Sequence, residues 1–202
     1  MTQVHNASPA TKIELRRRLI EALGGPASCR VLETHSGPGI MRRGAYSGAR
    51  EWIGIDTDIE APGAVHYDST LVLRAIDLSA FNLFDVDAFG SPWHHVWLVS
   101  QRRRLVAGER LGLAMTNGAA SQTVARHMRP RRAGWSRQML DTLGADPDAS
   151  LSQFICDNAE RTAQVLVGRW FAPGRIVRWM TARSPSGSTF YFAAIIAGAA
   201  ES

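Results

Sequence analysis

The sequence predicts an α/β protein built on a doubly wound, mostly parallel sheet of seven strands that ends in a C-terminal antiparallel hairpin. Short apolar runs alternate with stretches of helical periodicity through most of the chain. Two strand-like runs, Arg175–Ala182 and Thr189–Ala197, then follow each other with only Arg-Ser-Pro-Ser-Gly-Ser between them. Strands that alternate with helices form a parallel sheet covered on both faces. A turn-rich spacer between two strands favours a hairpin.

The individual elements follow from local periodicity and from the turn residues between them. Helices are predicted where apolar residues recur at helical spacing, at Lys12–Leu23, Ile40–Ala49, Ser69–Ile76, Trp93–Leu105 and Leu151–Val167. Short apolar runs predict the other five strands at Arg30–Thr34, Glu51–Asp56, Ala64–Asp68, Leu83–Asp87 and Arg110–Thr116. Residues 1–11 are expected to form a flexible lead-in, and residues 117–150 an irregular insert. Without an evident linker, residues 1–202 are predicted to form a single domain.

Composition excludes several classes of protein. Hydrophobic residues make up 45% of the chain and charged residues 20%, as in ordinary globular proteins. No apolar run approaches the ~20 residues of a membrane span, and the two cysteines show no metal-ligand spacing. We therefore expect a cytoplasmic protein without a membrane segment or a metal site. The net charge of +5 fits a polyanionic partner, but Lys12 is the only lysine, and an arginine bias also reflects genomic base composition.

A glycine turn follows the first predicted strand. The strand ends at Thr34 and is followed by His35-Ser36-Gly37-Pro38-Gly39, at the sheet edge where open α/β proteins bind ligands. Glycine lets the backbone approach a ligand closely, and Asp56, which ends the next strand, can accept hydrogen bonds from ribose hydroxyls. A dinucleotide fingerprint requires Gly or Ala at position 42, which is arginine here.

The pattern Glu33-x-x-x-Gly37-x-Gly39 resembles motif I of the class I S-adenosylmethionine (SAM)-dependent methyltransferases, whose sheet also ends in an antiparallel strand. The resemblance implies SAM as cofactor, with Glu33, Ser36, Gly37 and Gly39 around its methionine part and Asp56 on the ribose. It also implies that Asp68 lies against the adenine. Asp68 suits equally well the N-cap of the helix that starts at Ser69.

Phe84–Pro92 (FDVDAFGSP) resembles the Asp-Pro-Phe-Gly-Ser-Pro motif of the tRNA N2,N2-dimethylguanosine methyltransferases. Val31–Tyr46 is similar to the first motif of that family, so that the resemblance covers residues 31–118. Ala88 stands where the family has proline, and the family's C-terminal tRNA-binding domain is not expected in this chain.

An exocyclic amine is a poor nucleophile because its lone pair is delocalised into the ring. A carboxylate and a carbonyl that accept its two N–H bonds would favour the more nucleophilic, pyramidal nitrogen. Asp87 is the candidate acceptor and proton sink, and the Ala88 carbonyl is the second acceptor. The alternative for Asp87 is structural: it caps the turn or pairs with an arginine, and Phe89 is then part of the core. Phe89 would stack on the base, a contact worth ~1–3 kcal/mol, and Pro92 would line the substrate pocket.

Basic residues in the insert could contact phosphates or form a solvated face; they are Arg126, Arg129, Arg131 and Arg132. His94 and His95 could line the substrate pocket or have a structural role at the start of the helix. Arg102–Arg104 lie at the end of that helix, where positive charge is favourable. Together these features predict a SAM-dependent N-methyltransferase that acts on a base of RNA or DNA. Two alternatives stay open: a methyltransferase of a small-molecule or protein amine, and an inactive methyltransferase-like protein that binds nucleic acid.

Overall fold

The structure, a computed structural model, describes residues 9–88, 91–118, 159–184 and 189–199. Its helices are α1 (Pro9–Ala22), α2 (Ile40–Gly44), α3 (Ser69–Ala75), α4 (Trp93–Arg102) and α5 (Ala159–Trp170). Its strands are β1 (Arg30–Thr34), β2 (Glu51–Asp56), β3 (Ala64–His66), β4 (Leu83–Val86), β5 (Arg110–Gly118), β6 (Arg175–Arg183) and β7 (Thr189–Ala197). Short 3-10 turns precede β1 and β4.

The strands form one seven-stranded sheet in the order β3-β2-β1-β4-β5-β7-β6. Strands β1 to β5 are parallel to one another, and β7 pairs antiparallel with both β5 and β6. Strand order reverses between β1 and β4, which is where open α/β sheets place their ligands. The predicted sheet and its terminal hairpin are confirmed.

Each face of the sheet is covered by helices. One core joins the sheet to α3, α4 and α5 through side chains such as Leu73, Val96 and Leu166, all essentially inaccessible to solvent. The second core joins it to α1 and α2 through Leu19, Met41 and others. The helix α1 therefore lies on the opposite face from α4, and both reach the edge where β1 and β4 end.

Several predicted helix boundaries are wrong. α1 begins at Pro9, so residues 9–11 of the expected lead-in are helical. α2 ends at Gly44 rather than Ala49, and the Tyr46 N–H donates to the Met41 carbonyl just after its end. Gly44 itself packs so closely on Ile13 that an added Cβ would lie 2.6 Å from the Ile13 Cδ1 atom. α4 ends at Arg102 rather than Leu105.

Two boundaries near the insert also differ from the prediction. β5 runs to Gly118, so residues 117 and 118 belong to a strand rather than to an irregular insert. α5 extends three residues past the predicted end, to Trp170. The rest of the expected insert and the first eight residues of the helix predicted at Leu151–Val167 lie outside the described residues.

Among the helices that the structure describes, none is long and apolar enough to cross a membrane. In the same part of the chain, no three His, Cys, Asp or Glu side chains are grouped so as to hold a metal ion.

Candidate active site

The glycine turn (residues 35–39) and the Asp87 corner, formed by Asp87 and Ala88 after β4, begin side by side at one edge of the sheet. In the parallel pairing of β1 with β4, Thr34 lies opposite Val86. His35 and Asp87 are the first residues after β1 and β4, so the two loops leave the sheet at neighbouring points. Strand pairing thus brings together the two motifs that the sequence separates by about fifty residues.

The glycine turn is held by the carboxylate of Asp56. The Gly37 N–H donates to Asp56 Oδ2 at 2.7 Å, and the Asp58 N–H donates to Oδ1 at 2.9 Å. Gly37 and Gly39 have φ angles of 49° and 73°, in the left-handed region that favours glycine. Each carboxylate oxygen has a second lone pair, so Asp56 can hold the turn and still accept a hydroxyl.

Two buried polar atoms of the turn are not hydrogen-bonded to any described residue. They are the Ser36 Oγ, whose residue is 5% exposed, and the His35 Nδ1. His35 also has a φ of 62°, which is uncommon for a residue with a side chain. Because buried polar groups are nearly always paired, these atoms fit a polar ligand seated on the turn.

Glu33 lies on β1 directly before this turn and is 1% exposed. Its Oε2 accepts a hydrogen bond of 2.8 Å from the indole Nε1 of Trp52. Burial raises the pKa of the Glu33 carboxyl well above its usual range, and the nearby Asp85 carboxylate raises it further. A cationic ligand group would favour the ionised form of Glu33.

Asp87 is clamped by Lys12, which reaches it from α1. The Lys12 Nζ lies 2.6 Å from Oδ1 and 2.7 Å from Oδ2, and the Asp87 side chain is 12% exposed. Burial opposes ionisation, but the positive charges of Arg16 and Lys12 outweigh it and lower the pKa of Asp87. A carboxylate with a lowered pKa is a weak base, so it is better suited to accept hydrogen bonds than to take up a proton.

Beneath this corner lies a fully buried ion pair that the sequence analysis did not single out. Arg16 donates from Nε and Nη2 to the two oxygens of Asp85, at 2.6 Å each, and both side chains are inaccessible to solvent. The Tyr46 hydroxyl donates to Asp85 Oδ2 at 2.5 Å, and Arg16 Nη2 also reaches Thr116 Oγ1 at 3.3 Å. The Asp85 carboxylate raises the pKa of Arg16 even though burial opposes the charge.

A period-two signal in the sequence could have revealed this pair. In Phe84-Asp85-Val86-Asp87 the acidic residues alternate with apolar ones, so both carboxylates face the same side of the sheet. On α1, Lys12 and Arg16 are four residues apart and lie on one helix face. Two buried acidic residues on one side of a sheet favour cations opposite them, because an unpaired buried charge is costly.

Of the other predicted site residues, two are buried near the start of α4, one is exposed at the start of α3, and the rest lie outside the described residues. Ala88 is 5% exposed and packs in the core shared with α4, and Pro92 is buried at the start of that helix. Asp68 is exposed and accepts the Leu71 N–H at 3.0 Å, which confirms its N-cap role at α3. Phe89 and the four predicted phosphate contacts, Arg126, Arg129, Arg131 and Arg132, lie outside the described residues.

Two histidines meet beside the glycine turn. The rings of His35 and His95 are 4.9 Å apart, edge to face, and His95 Nε2 lies 2.9 Å from Ser69 Oγ. Burial, together with the neighbouring histidines, lowers the pKa of His95 to about 4. The neutral ring therefore joins α4 to α3 at neutral pH.

Arg102 and Arg103 serve the end of α4. Arg102 donates to the Leu73 carbonyl at 2.9 Å, and the nearly buried Arg103 binds the Phe81 carbonyl and Glu109. Arg102, which is exposed, and Arg103 thus both bind backbone carbonyls of segments that pack beside α4.

The fold is that of solved methyltransferases. Trm1 from Pyrococcus horikoshii, solved with S-adenosyl-L-methionine, is 14% identical with a TM-score of 0.60, over 95% of this chain and 56% of that one. The N-methyltransferase NodS from Bradyrhizobium japonicum WM9 is 13% identical with a TM-score of 0.51, over 93% of this chain and 96% of that one. The plantazolicin methyltransferase BpumL, solved with S-adenosylhomocysteine (SAH), is 10% identical with a TM-score of 0.51, over 95% and 85%.

The chain spans little more than half the length of the Trm1 chain. No protein-family profile and no curated protein sequence matches it. At these identities the comparisons show the fold and confirm its class I methyltransferase architecture.

Proposed function

We propose that the protein is a SAM-dependent N-methyltransferase that acts on an exocyclic amino group of a base in RNA or DNA. The observation that carries the proposal is the juxtaposition at the sheet edge. A glycine turn with unpaired buried polar atoms and a carboxylate corner begin next to each other on β1 and β4. Structural neighbours of this fold have been solved with SAM or SAH, and the turn has the residue types that would hold such a ligand.

The residues present fit SAM. Glu33 offers a buried carboxyl to the amino group, and Ser36 Oγ and the backbone of Gly37 and Gly39 line the turn. Asp56 keeps lone pairs for ribose hydroxyls. When bound, SAM supplies an electrophilic methyl group on a sulfonium. Asp68 accepts the Leu71 N–H as the N-cap of α3 and, like Asp56, keeps lone pairs, with which it would contact the adenine.

In the proposed reaction, Asp87 and the Ala88 carbonyl accept the two N–H bonds of the acceptor amine, and Phe89 stacks on the base. Asp87 stays ionised because Lys12 and Arg16 lower its pKa. It therefore orients the amine and localises the nitrogen lone pair, and the displaced proton passes to solvent rather than remaining on this carboxylate. Positioning of this kind is the main requirement for methyl transfer.

Binding and transfer can be tested separately. Calorimetry should show micromolar binding of SAM and SAH, and tritiated SAM should label an RNA or DNA pool. Asp87→Asn should abolish labelling and keep SAM affinity, whereas Asp77→Asn should change neither, since Asp77 is an exposed cap of the turn before β4. Absence of SAM and SAH binding would overturn the proposal. Binding without transfer to any acceptor would favour the catalytically inactive alternative, and labelling confined to extracts free of nucleic acid would favour a small-molecule or protein acceptor.

A further inference from the structure

The Lys12 ammonium is held in a fixed position at the Asp87 corner. It contacts both carboxylate oxygens, and its side chain is 2% exposed. It also lies over the Tyr191 ring, 5.8 Å from the centroid. α1, β4 and β7 thus meet at this one cation. An acceptor amine that approaches Asp87 meets a carboxylate whose charge is already matched.

Charges at the corner cancel in pairs among the described residues. Lys12 matches Asp87, and Arg16 matches Asp85. Glu33, the third carboxyl of the cluster, has a pKa raised by burial and by Asp85, which disfavours its charged form. The corner consequently has acceptor oxygens but no surplus negative charge to attract a cation.

On the basis of the proposed function, we propose that Lys12 sets the acceptor class: the Asp87 corner takes a neutral, ring-conjugated amine and excludes an alkylammonium ion. Asp87 also receives a side-chain hydrogen bond from Thr116, but its two oxygens offer about four lone-pair sites, so the carboxylate can still accept an uncharged N–H beside its contacts with Lys12. An alkylamine is protonated at neutral pH, as the lysine pKa of about 10.4 illustrates. Its ammonium would lie next to that of Lys12, and like charges in such a position repel strongly.

This inference narrows the class of acceptor to neutral, ring-conjugated amines. Exocyclic amines of nucleic-acid bases are neutral and conjugated, whereas lysine side chains and polyamines are cations. The nucleic-acid acceptor is therefore favoured over a protein or polyamine acceptor by the same pair that fixes Asp87.

Aniline and benzylamine provide a matched pair of probes, because they share a ring and differ in the charge of the amine at pH 7. Binding to the SAH-loaded full chain, followed by calorimetry or ligand-observed NMR, requires no turnover. The wild type should prefer aniline, and Lys12→Met should shift the ratio toward benzylamine by roughly tenfold or more. Lys12→Arg keeps the charge and should keep the wild-type ratio. Arg18→Met should also keep it, because Arg18 is an exposed cation of the same helix, paired with Glu14.

A pH series separates a charge effect from a structural one. The ionisable groups that face Asp87 are Lys12, Arg16, Asp85, Glu33, His35 and Tyr191. In Lys12→Met the acid limb of aniline binding should move to higher pH, because Asp87 loses a stabilising cation, while Lys12→Arg should leave it in place. If Lys12→Met does not fold, the wild type alone decides: benzylamine binding should increase as the pH approaches its own pKa, while aniline binding should stay constant.

Three results would overturn the inference. They are an unchanged ratio of aniline to benzylamine affinity in Lys12→Met, a wild type that prefers benzylamine at pH 7, and no binding of either probe. SAM binding and nucleic-acid labelling, which test the proposed function, are measured independently of these ratios.

Discussion

The buried Arg16–Asp85 pair gives the strongest prediction about stability. Both side chains are inaccessible to solvent, and two charge-assisted hydrogen bonds of 2.6 Å join them. Removing one partner leaves an uncompensated buried charge, which costs about 3–5 kcal/mol. Arg16→Met, which keeps much of the side-chain volume, should lower the free energy of unfolding by that amount. The Tyr46 hydroxyl remains on Asp85 but cannot neutralise it.

Equilibrium urea unfolding, followed by far-UV circular dichroism, measures this loss as a shift in midpoint at constant m-value. Arg18→Met is the matched control on the same helix. Its exposed pair with Glu14 is worth only about 0.3–0.5 kcal/mol.

The double variant Arg16→Met with Asp85→Leu removes both charges at once. It should be more stable than Arg16→Met alone, because replacing a whole buried pair by apolar side chains is often nearly neutral. If Arg16→Met costs less than about 1 kcal/mol, or if the double variant loses the sum of the two single losses, the pair is not the buried, mutually compensating contact that the geometry shows.

Two further predictions concern pH. The pKa of His95 falls from 6.5 to about 4 on folding, so its contribution to stability is complete above pH 6.5 and is lost as the pH falls toward 4; at 1.36 kcal/mol per unit this is about 3 kcal/mol at most. In urea unfolding at several pH values, the free energy of unfolding of the wild type should fall as the pH is lowered from 6.5 toward 4, and that of His95→Gln should fall less. Equal pH dependence in the two proteins would contradict the prediction. The raised pKa of Glu33 predicts, if Glu33 receives the SAM amino group, that SAM affinity increases with pH and that binding releases a proton. Calorimetry in buffers of different ionisation enthalpy would detect that proton, and its persistence in Glu33→Gln would rule out this role.

Strand boundaries were more predictable than helix ends. β1, β2 and β7 have the predicted bounds, because each is a short apolar run limited by turn residues. The early end of α2 depends on contacts distant in sequence. Gly44 packs against Ile13, and Tyr46 leaves the helix to reach Asp85. No local pattern contains that information.

The site was predictable in part for the same reason. Gly37, Gly39 and Asp56 belong to one β-α-β unit, so their proximity follows from sequence order alone, and the Gly37–Asp56 hydrogen bond agrees with it. The clamp on Asp87 required knowledge of where α1 packs. Lys12 is 75 residues from Asp87, so their contact cannot be predicted until the position of α1 on the sheet is known.

The geometry of the two ion pairs explains why α1 lies where it does. Lys12 and Arg16 are one helical turn apart, a rise of about 6 Å. Asp85 lies on β4 and Asp87 follows its end, two residues further along, about 6.6 Å in an extended chain. The two spacings match, so both pairs form together only when α1 lies along β4 in one register. Sliding the helix by a turn would break one pair and leave a buried carboxylate unmatched, at the cost that such a charge incurs. The same contacts that stabilise the helix therefore place a cation at the proposed amine site, which joins the specificity of that site to the packing of α1.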